Sequence, residues 1–276
     1  MAIDRADGVR LNQLFYNFRK PPNSPMADAK VRRALTYAID GTSLVDNVMQ
    51  KSATASRGVI PLSLDGAIET GEYVYDPDRA KSELNALGLR NLKIKIIWES
   101  GEFAADTDIM ESVVQMLSAV GGSRPRFSSS SLVATSPSGA RARRATGTCS
   151  ATGSQAPTGG LALTIMQGMY AGTAEKEATR DTYHGYLFPD ITAIITQASE
   201  DADPARRAAL LADAQRKIWD TCPPMMWSFV PKAVLGRRTR IDGMTLRPTN
   251  SYDLAAISLK VETMSTCHSR CDRTGR

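Results

Sequence analysis

LFYNFRKPPNSPMADAKVRRALTYAID, residues 14–40, runs from apolar residues through a proline-rich turn into a helical pattern. Val31, Ala34, Leu35, Ala38 and Ile39 recur at helical spacing, with Asp28 placed to cap the start and Gly41 to stop the run. Thr42 is placed to cap a second helix, whose Leu44, Val45, Val48 and Met49 form one apolar stripe. Further on, Asp76-Pro77 reads as a cap with a first-turn proline, followed by Ala80, Leu84 and Leu87 before Gly88. Leu92 to Trp98, LKIKIIW, alternates as a strand does, and Asp106 opens a helix carrying Ile109, Val113, Met116, Leu117 and Val120 on one face. Helix, strand and helix in this order predict an α/β domain.

The periodicity then stops. Of the 38 residues from Ser123 to Gly160, 33 are Ser, Thr, Gly, Ala, Pro or Arg, and neither a helical nor a strand period survives. Such a stretch has too little apolar area to offset its ordering entropy, so residues 123–160 are expected to be disordered or ill packed. Periodicity returns with Ile191, Ile194, Ile195 and Ala198 on one helix. Asp203-Pro204 opens the next, with Leu211, Ala214 and Ile218 facing inward. Met225 to Leu235 is strand-like, and Pro231 predicts an edge or irregular strand.

The chain has 276 residues, 42% of them hydrophobic, enough to bury a core. Its net charge of +5 comes from two segments, since residues 123–160 hold five arginines and no acid and residues 263–276 add a net two; the remainder is mildly acidic. That distribution argues against nucleic acid as a partner. No run of eighteen apolar residues exists, and MAIDRADGVRLNQ lacks the basic start and apolar core of a secretory signal. Cys149, Cys222, Cys267 and Cys271 are spaced too unevenly for a disulfide framework. The two histidines, with no GxSxG, HExxH or P-loop, nominate no enzyme and no cofactor.

Three phrases together resemble the family 5 solute-binding proteins, the dipeptide, oligopeptide and nickel receptors of ABC importers: residues 14–40, YVYDPDRAKSELNALGL at 73–89, and DPARRAALLADAQRKIWDTCPPMMWSFVPKAVLGRR at 203–238. The resemblance covers roughly residues 10–121 and 161–262. It implies a type II periplasmic-binding-protein fold, a peptide or similar small solute as ligand, ABC permease subunits as partners, and no enzymatic activity. It further implies that most of a first lobe, a signal sequence and a lipid anchor would precede Met1. The chain would then comprise an entry strand and hinge at 1–20, one α/β lobe at 21–225, a segment returning to the other lobe at 226–262, and a disordered tail at 263–276. As written, such a chain would stay cytoplasmic, whereas its parent would be extracytoplasmic and meet the membrane only through the anchor. The family's acidic anchor for a peptide amino terminus has no counterpart, because no Asp or Glu occurs from 112 to 174. A shifted reading frame over about 123–155 would account for that composition.

Trp98 and Glu99 end the predicted strand, where α/β sheets present ligand-facing residues; the alternative is a core indole beside a solvated acid. Tyr170, Tyr183, His184 and Tyr186 lie in loop-like sequence and are candidates to wall a cleft, or else pack and cap. Trp219 and Trp227 are assigned to the core. Asp106 and Asp108 sit at a helix start, where capping and the helix dipole explain them. Cys267, His268 and Cys271 offer three zinc ligands without a fourth, the basis of a rival reading as a small basic metal- or nucleic-acid-binding protein.

Overall fold

A computed structural model describes residues 1–18, 25–101, 103–131, 149–154, 162–172, 188–221, 225–249, 251 and 254–260. Its centre is a six-stranded mixed sheet in the order β3-β7-β2-β6-β4-β5. These strands are β2 (Leu11–Tyr16), β3 (Ala53–Ala55), β4 (Leu92–Ser100), β5 (Gly122–Ser131), β6 (Cys149–Ser154) and β7 (Met225–Pro231). β4 runs parallel to β5 and β6, whereas β2 is antiparallel to both β6 and β7. Helices α1 (Ala29–Thr36), α3 (Pro77–Ala86) and α4 (Asp106–Ala119) bury their apolar residues in one core with Leu14, Tyr16, Ile94, Ile96 and Trp227. Helices α5 (Ala162–Met169), α6 (Pro189–Glu200) and α7 (Pro204–Asp220) build a second core around Phe15, Val59, Ile60 and Met225. The three layers confirm the α/β class.

Local chemistry starts most elements where the sequence places them. Asp28 accepts from the Lys30 amide, Asp76 from the Arg79 amide, and Asp203 from the Ala205 and Arg206 amides. Asp106 also acts as expected, its carboxylate accepting from the Gly101 and Thr107 amides beside the α4 N-terminus. On β4, Leu92, Ile94, Ile96 and Trp98 all face the first core, as the alternation predicts.

Four expectations are corrected. Helix α1 ends at Thr36. Gly41 instead opens α2 (Gly41–Ser43), which continues as a wider turn through Val48, and Asp40 rather than Thr42 is the cap, accepting from the Ser43 amide at 2.8 Å. Gly41 is needed for proximity, since a Cβ there would lie 2.2 Å from Trp227 Nε1. Within 123–160, residues 123–131 belong to β5 and 149–154 to β6, whereas 132–148 and 155–160 lie outside the described residues. Parallel pairing to β4 is made by backbone groups, so serines and glycines suffice where the neighbouring strand is already in place. Of the two alternatives for β7, the edge position is not found, since β7 lies between β3 and β2 and Pro231 ends it, whereas an irregularity is, as the β2–β7 register shifts between Leu14 and Phe15. The boundary expected at 226 therefore falls inside the sheet. The chain leaves the sheet after Pro231, where β8 (Ala233–Arg237) pairs with β1 (Ala2–Ala6) as a separate two-stranded ribbon.

Arg32 is 3% exposed although charged. Its guanidinium donates to the carbonyls of Met26, Ala27 and Thr221 and lies 5.0 Å from the Phe18 ring centroid, joining the turn before α1 to the C-terminal end of α7. Arg32→Ala is expected to cost about 3 kcal/mol, because three carbonyls lose a charged donor, and Arg32→Lys to recover only part of it, both read from urea unfolding midpoints. Gly41→Ala is expected to cost about 2 kcal/mol or more by overpacking, against about 1 kcal/mol for Gly88→Ala, where φ is +75° and no atom lies within 4 Å of the new Cβ.

Candidate ligand-facing rim

The pairing registers bring six strand termini to one end of the sheet. Ser100 of β4 pairs with Ser131 of β5, Leu11 of β2 with Ser154 of β6, and Ala53 of β3 with Pro231 of β7. This is the carboxyl end of the parallel strands, the end at which open α/β sheets present ligands with backbone groups and loops. The β1–β8 ribbon departs from the same end through two chain crossings that touch: a Cβ at Gly8 would lie 2.1 Å from the Pro231 carbonyl oxygen. The ribbon is clasped by Asp4 and Arg237, Nε to Oδ2 at 2.5 Å, which pushes the guanidinium pKa further above its ordinary value. Beside the crossings lies a cavity of about 280 Å³ lined by Asp7, Gly8, Ser56, Arg57, Leu62 and Ser63, among others.

One wall of that cavity belongs to an irregular strap, residues 56–76, fastened from several elements. The Tyr170 hydroxyl donates to the Val59 carbonyl, Ser63 to the Gly8 carbonyl, and Gln215, fully buried on α7, accepts from the Ile68 amide and donates to the Gly66 carbonyl. Tyr73 closes the strap edge-on against Trp219 at 5.3 Å.

The expected site residues are not brought together. Trp98 is 5% exposed in the first core, and Tyr170, fully buried, lies in the second core on the opposite face. Tyr170 is thus a packing residue that anchors the strap, not a cleft wall. Glu99 has its backbone on the rim, paired with Ser130. Trp227 is core as expected; Trp219 is only partly buried. Tyr183, His184, Tyr186, Cys267, His268 and Cys271 lie outside the described residues. Among the described residues no cluster of three or more metal-ligating side chains occurs, and no helix is long and apolar enough to cross a membrane.

Sequence reasoning passed over Asn12 and Gln13, two amides inside the otherwise apolar strand LNQLFY. They point to opposite faces at the rim end of β2 and are 0% and 2% exposed. Gln13 Nε2 reaches the Met169 sulfur at 3.7 Å, while Gln13 Oε1 and both polar atoms of the Asn12 side chain are buried without a hydrogen-bond partner among the described residues. Two adjacent amides in a strand buried on both faces were the signal available.

With this geometry described, comparison with known proteins gives one answer. The family described as bacterial extracellular solute-binding proteins, family 5 Middle, matches residues 2–123. The glutathione-binding protein GsiB of Pectobacterium atrosepticum is 26% identical over 238 residues, 83% of this chain and 44% of that protein. The dipeptide-binding protein of Escherichia coli K12 is 35% identical over 83 residues, 30% of this chain and 15% of that protein. Among solved structures, the dipeptide binding protein from Pseudoalteromonas sp. SM9913 in complex with Met-Leu superposes with a TM-score of 0.77 at 18% identity, over 94% of this chain and 50% of that one. The chain matches the family 5 solute-binding-protein model over residues 2–123 and is similar along most of its length to the glutathione-binding relatives. It spans about half the length of the family 5 relatives matched along most of it, and it carries their type II periplasmic-binding-protein fold.

Asn12→Leu is expected to raise stability by about 1–2 kcal/mol, because two buried polar atoms without partners among the described residues are removed. Asn12→Asp is expected to lower it, since a carboxylate would be buried without a counter-ion. Urea unfolding at neutral pH measures both.

Proposed function

We propose that this chain supplies one lobe of an ABC-importer receptor, and that the receptor captures a peptide or similar small solute by closing a second lobe over the rim. The observation that carries this reading is the juxtaposition of the strand termini with the paired crossings at Gly8 and Pro231. A ligand held at the end of the sheet is then next to the only two chain passages that leave the described sheet as a ribbon. A rigid three-layer lobe joined through two adjacent backbone passages can rotate about them with few broken contacts, the requirement for hinge closure. Ligand contacts to both lobes bias such an equilibrium toward the closed form, and no covalent step is called for. Relatives named for glutathione and dipeptides support a solute whose backbone amides pair with strand ends. Permease subunits are the partners this role entails.

Under the same reading, residues 1–6 and 233–262 belong with the second lobe, and the alanine-, serine- and arginine-rich composition of 123–155 reflects a shifted reading frame. The rival, a basic metal- or nucleic-acid-binding protein, rests on the segments 123–160 and 263–276, which lie partly or wholly outside the described residues.

The test is to read the coding DNA from about a kilobase upstream of Met1 through the stop codon, express the longest restored two-lobe product, and titrate it calorimetrically with dipeptides and glutathione. Micromolar binding accompanied by a tryptophan fluorescence change is expected, with this chain alone binding far more weakly. A well-folded two-lobe product that binds none of these solutes overturns the reading.

A further inference from the structure

We propose that a second cavity, walled by Tyr37, Tyr73 and Trp219, is a binding site for a compact zwitterion whose positive end is a methylated ammonium, that is, a betaine. The site does not depend on the function proposed above. It lies where α1 and α7 end, and α7 stops just ahead of Met225, which pairs with Phe15 towards the end of β2 remote from the rim.

The walls select the positive end. Trp219 packs edge-on to Tyr73 with ring centroids 5.3 Å apart, and a Cβ at Gly71 would lie 2.5 Å from the indole, so the strap backbone closes on the ring and holds it in place. Tyr37 already carries the Arg79 guanidinium 4.1 Å from its ring centroid. Aromatic rings attract a cation electrostatically but offer no lone pairs to its N–H groups. An ammonium that has exchanged N–H for methyl groups therefore fits these walls better than a primary one, since it leaves no donor unpaired when it leaves water. The last turns of α1 and α7, the negative ends of their helix dipoles, both reach the cavity and add to the attraction.

The charges select the negative end. Arg79 is matched by Glu83 at 2.7 Å, and Arg57 by Glu69 at 3.3 Å and by Glu72, in the cavity lining, at 3.8 Å. This leaves Arg33 and Asp220 in the lining, whose side chains have no hydrogen bond or ion pair among the described residues. One unmatched guanidinium on α1 and one unmatched carboxylate at the end of α7 are satisfied together by a ligand that carries both signs. Its carboxylate meets the paired N–H donors of Arg33, and its methylated nitrogen lies between Asp220 and the rings. The cavity volume of about 170 Å³ is below the usual range for small-molecule sites, which favours a molecule of betaine size over a peptide.

A methylated ammonium joined to an anion occurs in free betaines and in choline lipid headgroups, and the experiment separates the two. The full chain is titrated by calorimetry with trimethylglycine, with its carbon isostere 3,3-dimethylbutanoate, with glycine and with tetramethylammonium, and is sedimented with phosphatidylcholine vesicles. Trimethylglycine is expected to bind about tenfold more tightly than the isostere, which keeps the shape and carboxylate but loses the cation, and than glycine, which keeps both charges but loses the methyl groups. Arg33→Gln is expected to weaken trimethylglycine about fivefold and to leave tetramethylammonium unchanged, whereas Asp220→Asn is expected to weaken both about threefold. Trp219→Leu is expected to abolish binding. Because that ring also packs on Tyr73, the substitutions at Arg33 and Asp220, both exposed, test the site on an undisturbed fold. Trimethylglycine binding without vesicle association assigns the site to free betaines; vesicle association that is lost in Arg33→Gln assigns it to headgroups. An isostere that binds as tightly as trimethylglycine, trimethylglycine affinity unchanged in both Arg33→Gln and Asp220→Asn, or neither trimethylglycine binding nor vesicle association overturns the proposal.

Discussion

Strand β2 is bonded along both edges and buried on both faces, and the rest of the lobe is arranged around that constraint. Its side chains alternate between two cores, Leu14 and Tyr16 going to one and Phe15 to the other, so neither helical layer can form its interface without the strand that serves its opposite. A strand in this position cannot be apolar on one face only, which is why the run LFY shows no alternation. Tyr16 adds a directional element: its hydroxyl donates to the Arg32 carbonyl at 2.8 Å, while the Arg32 guanidinium reaches the carbonyl end of α7. Sheet, first helix and last helix are thereby connected through two side chains. The buried cation finds peptide carbonyls in place of a carboxylate, a partner that adds no second charge to be desolvated.

The strap of residues 56–76 solves a related problem. It has no ladder of its own, so its backbone groups must be satisfied by the elements it crosses. Gln215 fits that need because one amide side chain both donates and accepts, and it closes on Gly66 and Ile68 simultaneously. Tyr170 and Ser63 supply the next two fastenings. Anchored in this way, the strap serves as a wall beside the crossings.

The legibility of the sequence follows these physical distinctions. Elements with amphipathic periods and carboxylate caps, such as Asp76 to Ala86 and Asp203 to Asp220, could be located to within a residue or two, because period and cap are both local. Gly41 was misread because a glycine required by the approach of the Trp227 ring looks the same, in one dimension, as a glycine required by a positive φ. β5 and β6 were invisible for a different reason. A strand of serines and glycines has no apolar period to detect, and its place is decided by the backbone groups that β4 and β2 leave open. Tyr170 was a reasonable cleft candidate by type, yet a phenol buried with its hydroxyl on a carbonyl meets the same preference for an apolar body and a polar tip. The cavity residues, from Asp7 in one connection to Ser63 in another, share no motif and meet only through the fold.

The contrast between the two ends of β2 bears on how such a lobe can be stable. At the Tyr16 end the strand's polar group is paired, whereas at the rim end Asn12 and Gln13 carry buried polar atoms without partners among the described residues. Each such atom opposes folding by roughly 1–3 kcal/mol, a cost borne by a core that extends over both faces of the sheet. At 0% and 2% exposed the two amides lie beneath the rim, so their polar atoms are not offered to solvent, and the cost is met by the apolar residues that β2 places on both faces, Leu14 and Tyr16 on one and Phe15 on the other.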